Sequence, residues 1–304
     1  MVDLSVDLGP LTLRSPLIAA SGTVGSVYDF AAVGALESYG AAVAKSVSPE
    51  PWSGRTPPRM APAGYGMLNG IGIQNPGIAA WVAATEPHIA DGGVPLWGSS
   101  VAETPAGFAE VAQRLGDAGA TAVEINLSCP NLETGTMFAL DAAASAEVVA
   151  AVRAACEVPI GAKLSPNAHD IVAISSAVVD AGADWLVLTN TAFGAGIDIV
   201  TRRPLLSGMV GGYSGGPLKP IALRCVLEVS RALPSVPLVG CGGVQSGADV
   251  VEYLLAGANA VAVGTAHFAQ PRIGPRIERQ LARYCKIYGV AAVRDLTKGV
   301  IPWD

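Results

Sequence analysis

The feature that most constrains the fold is a short phrase, repeated three times, in which a helical segment ends at Ala-Gly-Ala and an apolar run begins. The three copies lie at residues 117–120, 180–183 and 255–258. Each copy puts a glycine where a helix needs its carboxyl-terminal cap, because glycine adopts the left-handed conformation found there at little cost. A capped helix followed directly by a strand is the repeating unit of a parallel sheet with right-handed crossovers.

Apolar runs of strand length alternate with helical patterns along the chain, and eight of them can be counted. They lie at residues 17–21, 41–46, 94–99, 122–127, 159–164, 185–190, 236–241 and 260–264. A doubly wound open sheet is the main alternative, but no Gly-x-Gly-x-x-Gly phrase follows the first run. The predicted fold is α/β, a (β/α)8 TIM barrel with an amino-terminal β-hairpin at residues 4–13. A barrel uses about 250 residues, so we expect residues 1–304 to form one domain.

Two segments between predicted strands, residues 47–77 and 192–216, are too long to be simple turns. Loops longer than about 12–15 residues are usually functional or disordered. Both segments are rich in Gly and Pro, and both leave the carboxyl end of a strand, the catalytic face of a barrel. Floppy insertions are the alternative to the functional loops that we expect at this face.

Charge and cysteine content exclude several classes of function. The net charge of −6, without a Lys/Arg cluster, argues against binding to nucleic acid or anionic membranes. The five cysteines are widely spaced and form no Cys-x-x-Cys pair, so we expect no metal site in this chain. The amino terminus lacks a basic and then apolar leader, and no apolar run approaches about 18 residues. These features predict a cytoplasmic protein.

Residues at the carboxyl ends of the strands converge on one pocket in a barrel, and most of those found here are polar. They are Ala20-Ser21, Lys45-Ser46, Ser99, Asn126, Lys163 and Asn190-Thr191. Lys45 and Lys163 follow otherwise apolar runs, so both need an anionic or electron-rich partner. The last two strands end in glycines that let backbone amides approach a phosphate, namely Gly242, Gly243 and Gly264, the last followed by Thr265. We expect a small-molecule phosphate rather than a dinucleotide, although sugar-phosphate enzymes share this signal.

A cysteine between two carboxamides follows the fourth predicted strand, where residues 126–131 read Asn-Leu-Ser-Cys-Pro-Asn. Asn126 and Asn131 could orient a planar ligand, and Cys129 could act as a base once its pKa is tuned. An inert, buried cysteine is the alternative. His267 is expected to pack rather than react, and no carboxylate pair is present. A phosphate-anchored cofactor, an electrophilic lysine and one weak base together suggest redox chemistry on flavin mononucleotide (FMN).

In their order and spacing, these motifs closely resemble those of the class 1 dihydroorotate dehydrogenases. Besides residues 126–131, the resemblance rests on residues 19–22, 66–77, 162–167, 189–191, 211–216, 240–243 and 263–266. It extends from Leu11 to about Gly289. The resemblance implies FMN as cofactor and oxidation of (S)-dihydroorotate to orotate in de novo pyrimidine (UMP) biosynthesis.

The resemblance also implies roles for individual residues. Cys129 takes the proton from substrate C5 while hydride passes from C6 to flavin N5, Lys45 bridges flavin and substrate, and Lys163 stabilises the reduced ring. The implied substrate contacts are Lys45, Asn69, Ile71, Gly72, Ile73, Asn126, Asn131, Asn190 and Thr191. The cofactor candidates are Ala20, Ser21, Lys45, Ser46, Ser99, Asn126, Lys163, Asn190, Thr191, Gly215, Gly216, Gly242, Gly243, Gly264 and Thr265. The chain departs from the family at Ser99, where an asparagine is common.

Within class 1, residues 69–77 and 263–268 look most like subclass 1B. That subclass passes electrons through a separate FAD and [2Fe-2S] subunit to NAD. Because this chain lacks cluster-binding cysteines, the partner would carry the cluster. We also expect a homodimer. Three alternatives remain: a fumarate-reducing subclass 1A enzyme, an FMN enzyme acting on another dihydropyrimidine such as dihydrouracil, and a non-enzymatic scaffold subunit.

Overall fold

Eight parallel strands close into a barrel in the computed structural model, which describes residues 2–127 and 137–303. The strands are β1 (Leu17–Ala19), β2 (Ala41–Val43), β3 (Leu96–Ser100), β4 (Ala122–Asn126), β5 (Ile160–Leu164), β6 (Trp185–Leu188), β7 (Leu238–Cys241) and β8 (Ala260–Val263). Each strand pairs in parallel with the next along the chain, and β8 pairs with β1. All eight predicted runs are strands, and the predicted TIM barrel is confirmed.

The helices connect the strands outside the barrel. Within the described ranges the α-helices are α1 (Tyr28–Ala31), α2 (Ile78–Thr85), α3 (Pro105–Asp117), α4 (Ala142–Ala155), α5 (Ile171–Asp180), α6 (Lys219–Ala232), α7 (Gly247–Ala256), α8 (Ala266–Ala269) and α9 (Gly274–Tyr288). Short 3-10 helices are formed by Leu36–Ser38, Glu86–Gly92, Phe138–Leu140, Gly216–Leu218 and Val293–Leu296. None of these helices is long and apolar enough to cross a membrane.

Capping residues mark both ends of the crossover helices, and the glycine caps are those that the repeated phrase predicts. Helices α3, α4, α5 and α7 begin at side-chain caps that accept a backbone N–H bond, supplied by Thr104, Asp141, Asp170 and Ser246. The glycines of the repeated phrase, Gly119, Gly182 and Gly257, have φ values of 101°, 110° and 118°. A residue with a Cβ is disfavoured in this conformation, so the glycines terminate α3, α5 and α7 where the next strand must begin.

Two tryptophans fill the barrel near the amino ends of the strands. The rings of Trp97 and Trp185 are both buried, with centroids 5.0 Å apart. Gly161 on β5 is required there, because a Cβ at this position would overlap the Trp185 indole. Since side chains occupy this end of the interior, open space is left at the opposite end, where the strands terminate.

The amino-terminal hairpin is present as predicted and pairs Val6–Leu8 with Leu11–Leu13. A second, two-stranded ribbon pairs Ile197–Asp198 with Arg203–Pro204.

The two long segments at the carboxyl-terminal face pair with one another, which the sequence did not indicate. They form a four-stranded antiparallel sheet, called here the cover sheet, in the order Ala192–Gly194, Gly211–Gly215, Gly66–Asn69 and Met60–Ala63. Glycines allow its close approach to the barrel, because a Cβ on Gly212 would overlap the Thr191 side chain. The segments are therefore ordered parts of the catalytic face rather than floppy insertions.

Candidate active site

A cavity of about 360 Å³ lies between the carboxyl ends of the barrel strands and the cover sheet. This volume is within the range of about 300–1,000 Å³ usual for small-molecule sites. The predicted residues that line it are Ala20, Ser21, Lys45, Ser46, Asn69, Ile71, Gly72, Ile73, Asn126, Lys163, Asn190, Thr191, Gly215, Gly242, Gly243, Gly264 and Thr265. The structure therefore brings candidates from seven barrel strands and both long segments to one place.

Four candidates are not part of this lining. Cys129 and Asn131 lie outside the described residues. Gly216 lies behind the wall, since a Cβ built on Gly243 would be 2.9 Å from the Gly216 carbonyl oxygen.

Ser99 is the fourth candidate, and it is separated from the cavity by Ser46. It is fully buried, and its Oγ lies 2.9 Å from Ser46 Oγ. Ser46 Oγ in turn accepts a hydrogen bond from Asn126 Nδ2 at 3.1 Å. Because the serine side chain is short, Ser99 has no direct access to the cavity. The predicted contact between Ser99 and a cofactor would have to be relayed by Ser46.

Amide side chains cluster on the wall formed by β4, the end of β6 and the cover sheet. Asn190 Nδ2 donates to Asn126 Oδ1 at 3.4 Å, and Asn190 Oδ1 accepts from the Thr191 N–H at 2.8 Å. Asn69 Nδ2 donates to the Gly212 carbonyl at 3.3 Å. An asparagine side chain offers both donors and an acceptor, so this wall can read the edges of a planar heterocycle.

The opposite wall is made of backbone after β7 and β8. Gly242 and Gly243 have φ values of 147° and 69°, and both line the cavity together with Gly264. A Cβ on Gly243 would lie 2.9 Å from the backbone nitrogen of Lys219, so a side chain is excluded. The resulting surface lets backbone N–H groups approach an anion closely, which suits a phosphate group.

The described part of the lining contains two lysines, Lys45 and Lys163, and no acidic side chain. Lys163 is paired behind the wall with Glu124 of β4, with 3.4 Å between Nζ and Oε1. Burial acts to lower the pKa of Lys163, but the Glu124 carboxylate raises it, and the net result is a pKa above the usual value. The cavity therefore presents positive charge, which favours an anionic ligand.

Glu124 was missed by the sequence analysis, which treated residues 122–125 as part of an apolar run. The signal that could have identified it is the two-residue repeat of a strand, because Glu124 shares a face with Asn126. Several other lining residues carried no comparable signal. Thr23, Gln245 and Phe268 lie in loops or a short helix, and Met60 and Met67 lie on strands of the cover sheet, whose pairing the sequence did not indicate.

His267 supports the cavity wall from behind, in agreement with its expected packing role. Its Nδ1 lies 2.9 Å from Oγ1 of Thr23, which lines the cavity, and its Nε2 lies 2.8 Å from the Tyr39 hydroxyl. Burial lowers the pKa of His267 to about 4. The imidazole is therefore neutral near pH 7.

We expect His267 to make the fold sensitive to acid. Its folded pKa of about 4 lies below the usual 6.5, so the unfolded chain binds more protons between these values, and stability falls as the pH drops. The loss should be on the order of 3 kcal/mol, at about 1.4 kcal/mol per pKa unit. Melting temperatures from pH 7 to pH 4 measure it. His267→Gln should flatten this dependence, and equal slopes would contradict the assignment.

The chain is similar to proteins of one family in both sequence and structure. A family model described as dihydroorotate dehydrogenase matches residues 3–285. The catalytic subunit of dihydroorotate dehydrogenase B (NAD(+)) from Pelobacter propionicus is 44% identical over 296 residues, which is 97% of each chain. The corresponding Listeria monocytogenes subunit is 39% identical over 297 residues, again 97% of each chain.

The fold is supported separately by a crystal structure of DHODH from Eimeria tenella in complex with ferulenol. It superposes with a TM-score of 0.81 at 20% identity and covers 99% of this chain and 89% of that one. The motif resemblance found in the sequence, including its likeness to subclass 1B, is confirmed by the family match and the named relatives. This chain belongs to the dihydroorotate dehydrogenase family and is an oxidoreductase.

Proposed function

We propose that this protein oxidises (S)-dihydroorotate to orotate in pyrimidine biosynthesis, and that residues 1–304 form one FMN-binding barrel domain. The observation that carries the proposal is the charge and shape of the cavity. Two lysines, an amide-rich wall and a glycine wall surround it, and no acidic side chain is found in its described lining. A phosphate-bearing cofactor and a carboxylate-bearing planar substrate both match this arrangement.

The glycine wall fits the phosphate of FMN. Gly242, Gly243, Gly264 and Thr265 would hold it through backbone N–H groups, because no Cβ separates the glycine backbone from a ligand. Lys163 would lie beside the flavin ring and attract negative charge developing on it. Bound FMN supplies a hydride acceptor, a chemistry that no amino-acid side chain offers.

The amide wall would hold the substrate. Asn69, Asn126, Asn190 and Thr191 are proposed to bind the pyrimidine ring, with Lys45 between substrate and flavin. The backbone at residues 71–73 is proposed to bind the carboxylate. Gly72 and Ile73 have φ values of 69° and 50°, and a left-handed conformation is unusual for isoleucine. Such strain is often kept where a loop must present its backbone to a ligand.

Two further residues enter the proposal through the family resemblance alone. Cys129 is proposed as the base that removes the C5 proton, and Asn131 as a substrate contact. Both lie outside the described residues. Asn126, which precedes Cys129 by three residues, lines the cavity.

The electrons are proposed to leave through a second subunit. The Pelobacter and Listeria relatives are described as catalytic subunits of an NAD(+) enzyme. Among the described residues, the cysteines Cys156, Cys225, Cys241 and Cys285 are all buried and offer no cluster ligands to a partner. We therefore propose a partner that carries FAD and a [2Fe-2S] cluster, together with a cytoplasmic homodimer of this chain.

Anaerobic mixing of the FMN-loaded protein with dihydroorotate tests the proposal. We expect the yellow flavin absorbance to bleach, and orotate to form in equal amount. Dihydrouracil is the matched control, because it lacks the carboxylate, and it should leave the flavin oxidised. A flavin that stays oxidised with dihydroorotate would refute the proposal. Reoxidation by fumarate, instead of by NAD with the partner subunit, would assign the protein to the alternative subclass.

A further inference from the structure

The buried ion pair behind the cavity wall joins Lys163, a proposed cofactor contact, to Glu124, which has no part in the proposed binding of FMN or substrate. Glu124 is 3% exposed and Lys163 is 6% exposed, and their charged atoms are 3.4 Å apart. Lys163 lines the cavity, whereas Glu124 does not. In the pairing of β4 with β5, Asn126 stands opposite Lys163 and Glu124 stands opposite Gly161. Glu124 thus lies one pleat deeper in the barrel than the residues that face a ligand.

We propose that Glu124 is a positioning residue that keeps the Lys163 ammonium group charged and fixed in the cavity wall. It would thereby set how strongly this wall attracts negative charge on the ring of bound FMN. The inference rests on the proposed function only in naming FMN as the ligand that senses Lys163. The pairing of Glu124 with Lys163 does not depend on the ligand.

The surroundings of Lys163 leave Glu124 as its source of negative charge among the described residues. The neighbouring strand β6, Trp185–Leu188, carries no ionisable side chain. The other titratable group near Lys163 is the Cys241 thiol on β7. Burial raises the pKa of Cys241, so this thiol is neutral near pH 7 and cannot serve as a counter-ion.

Without a counter-ion, a buried lysine is pushed toward its neutral form, because a low dielectric penalises the ammonium group. Removing the Glu124 charge can therefore have two opposite effects on the cavity. If Lys163 becomes neutral, the wall loses its attraction for a reduced flavin. If Lys163 stays charged, the wall becomes more positive than in the wild type. Only the first effect agrees with the proposal.

The test compares the wild type with Glu124→Gln and Lys163→Met, each loaded with FMN, from pH 6 to pH 9. The readouts are the midpoint potential of the flavin and the FMN dissociation constant. We expect both values for Glu124→Gln to match those of the wild type near pH 6 and to approach those of Lys163→Met by pH 9. Its FMN affinity relative to the wild type should fall about tenfold over this range, the ratio that corresponds to one pKa unit.

Several outcomes would overturn the proposal. A Glu124→Gln protein that follows the wild type at every pH would show that the carboxylate has no influence on Lys163. A potential above that of the wild type at every pH would show that Lys163 stays charged without it. Glu228→Gln is the matched control: it breaks the exposed pair with Arg224 on α6 and should leave both readouts unchanged.

A second measurement needs no flavin. In the Glu124→Gln apoprotein, Lys163 would have a lowered folded pKa, so the unfolded chain would bind more protons between that pKa and about 10.5. Its stability should then rise with pH across this window. The difference in melting temperature from the wild type should narrow between pH 6 and pH 9, whereas a constant difference would indicate a merely structural role.

The two measurements separate the possible failures. A wild type that binds no FMN would refute the proposed function, and the apoprotein melting curves would still test Glu124. If Glu124→Gln does not fold, Glu124→Asp takes its place, because the shorter carboxylate retracts from Lys163. Its midpoint potential and FMN dissociation constant should begin to approach those of Lys163→Met at a higher pH than is expected for Glu124→Gln. If both values stay equal to those of the wild type from pH 6 to pH 10, the proposal is overturned.

Discussion

Alanine at position 129 should slow reduction of the bound FMN by dihydroorotate about 10²–10⁴-fold at neutral pH, because the reaction would lose its general base. The described cavity wall offers no carboxylate, imidazole or activated thiol in its place. It contains no carboxylate and no imidazole, and burial raises the pKa of its one described thiol, Cys241. Lys163 is held in its protonated form by Glu124 and so cannot accept the proton.

Stopped-flow mixing under anaerobic conditions measures this rate as loss of the oxidised flavin absorbance. Substrate binding should be affected less than the rate, since the amide wall is left intact. Cys285→Ala is the control, because Cys285 is a buried thiol on α9 and belongs to a helix outside the barrel. It should reduce its flavin at the wild-type rate. A wild-type rate in the Cys129→Ala protein would exclude Cys129 as the base.

The barrel could be predicted because its signals are local. Each copy of the repeated phrase combines a helix end, a capping glycine and the start of a strand within a few residues. Gly119, Gly182 and Gly257 all adopt the left-handed conformation that the phrase requires. Strand order then follows from connectivity, because each right-handed crossover returns the chain to the adjacent position in the sheet.

The cover sheet could not be predicted, because its pairing is long-range and its strands are poor in β-forming residues. Gly66–Asn69 pairs with Gly211–Gly215, and both strands contain glycines that propensity assigns to turns. Their role appears only in three dimensions, where a side chain at Gly212 would overlap Thr191. The residue pattern within either long segment does not indicate that it pairs with the other segment.

The position of residues around the cavity could be predicted at strand ends, and less well one layer below them. Residues such as Lys45 and Asn190 could be placed because strand ends converge at one face of a barrel. Glu124 lies deeper, in the fully buried part of its strand, where alternation is easily overlooked. Ser99 is the converse case: a strand-end position did not bring its short side chain past Ser46, and its contact with a cofactor stays a prediction.

Lys163→Met should destabilise the apoprotein by about 3–5 kcal/mol at neutral pH, one of the largest stability effects expected from a single change in this chain. The reason is the charge left behind. Glu124 is buried and its described ion-pair partner is Lys163, so the variant would retain a carboxylate without its counter-ion. Urea unfolding of the apoprotein, with equal m-values for all variants, measures the loss.

Adding Glu124→Gln to Lys163→Met should recover most of that loss, because replacing both members of a buried ion pair by neutral side chains is often close to neutral. The pH dependence gives an independent check. In Lys163→Met alone, the buried Glu124 carboxylate would lack a counter-ion, so neutralising it with a proton favours the folded state, and the loss should shrink as the pH falls toward 5. The double variant should lack this dependence, since neither charge remains. Losses that simply add, with no change between pH 8 and pH 5, would mean that the two side chains stabilise the barrel by packing and not by their charges.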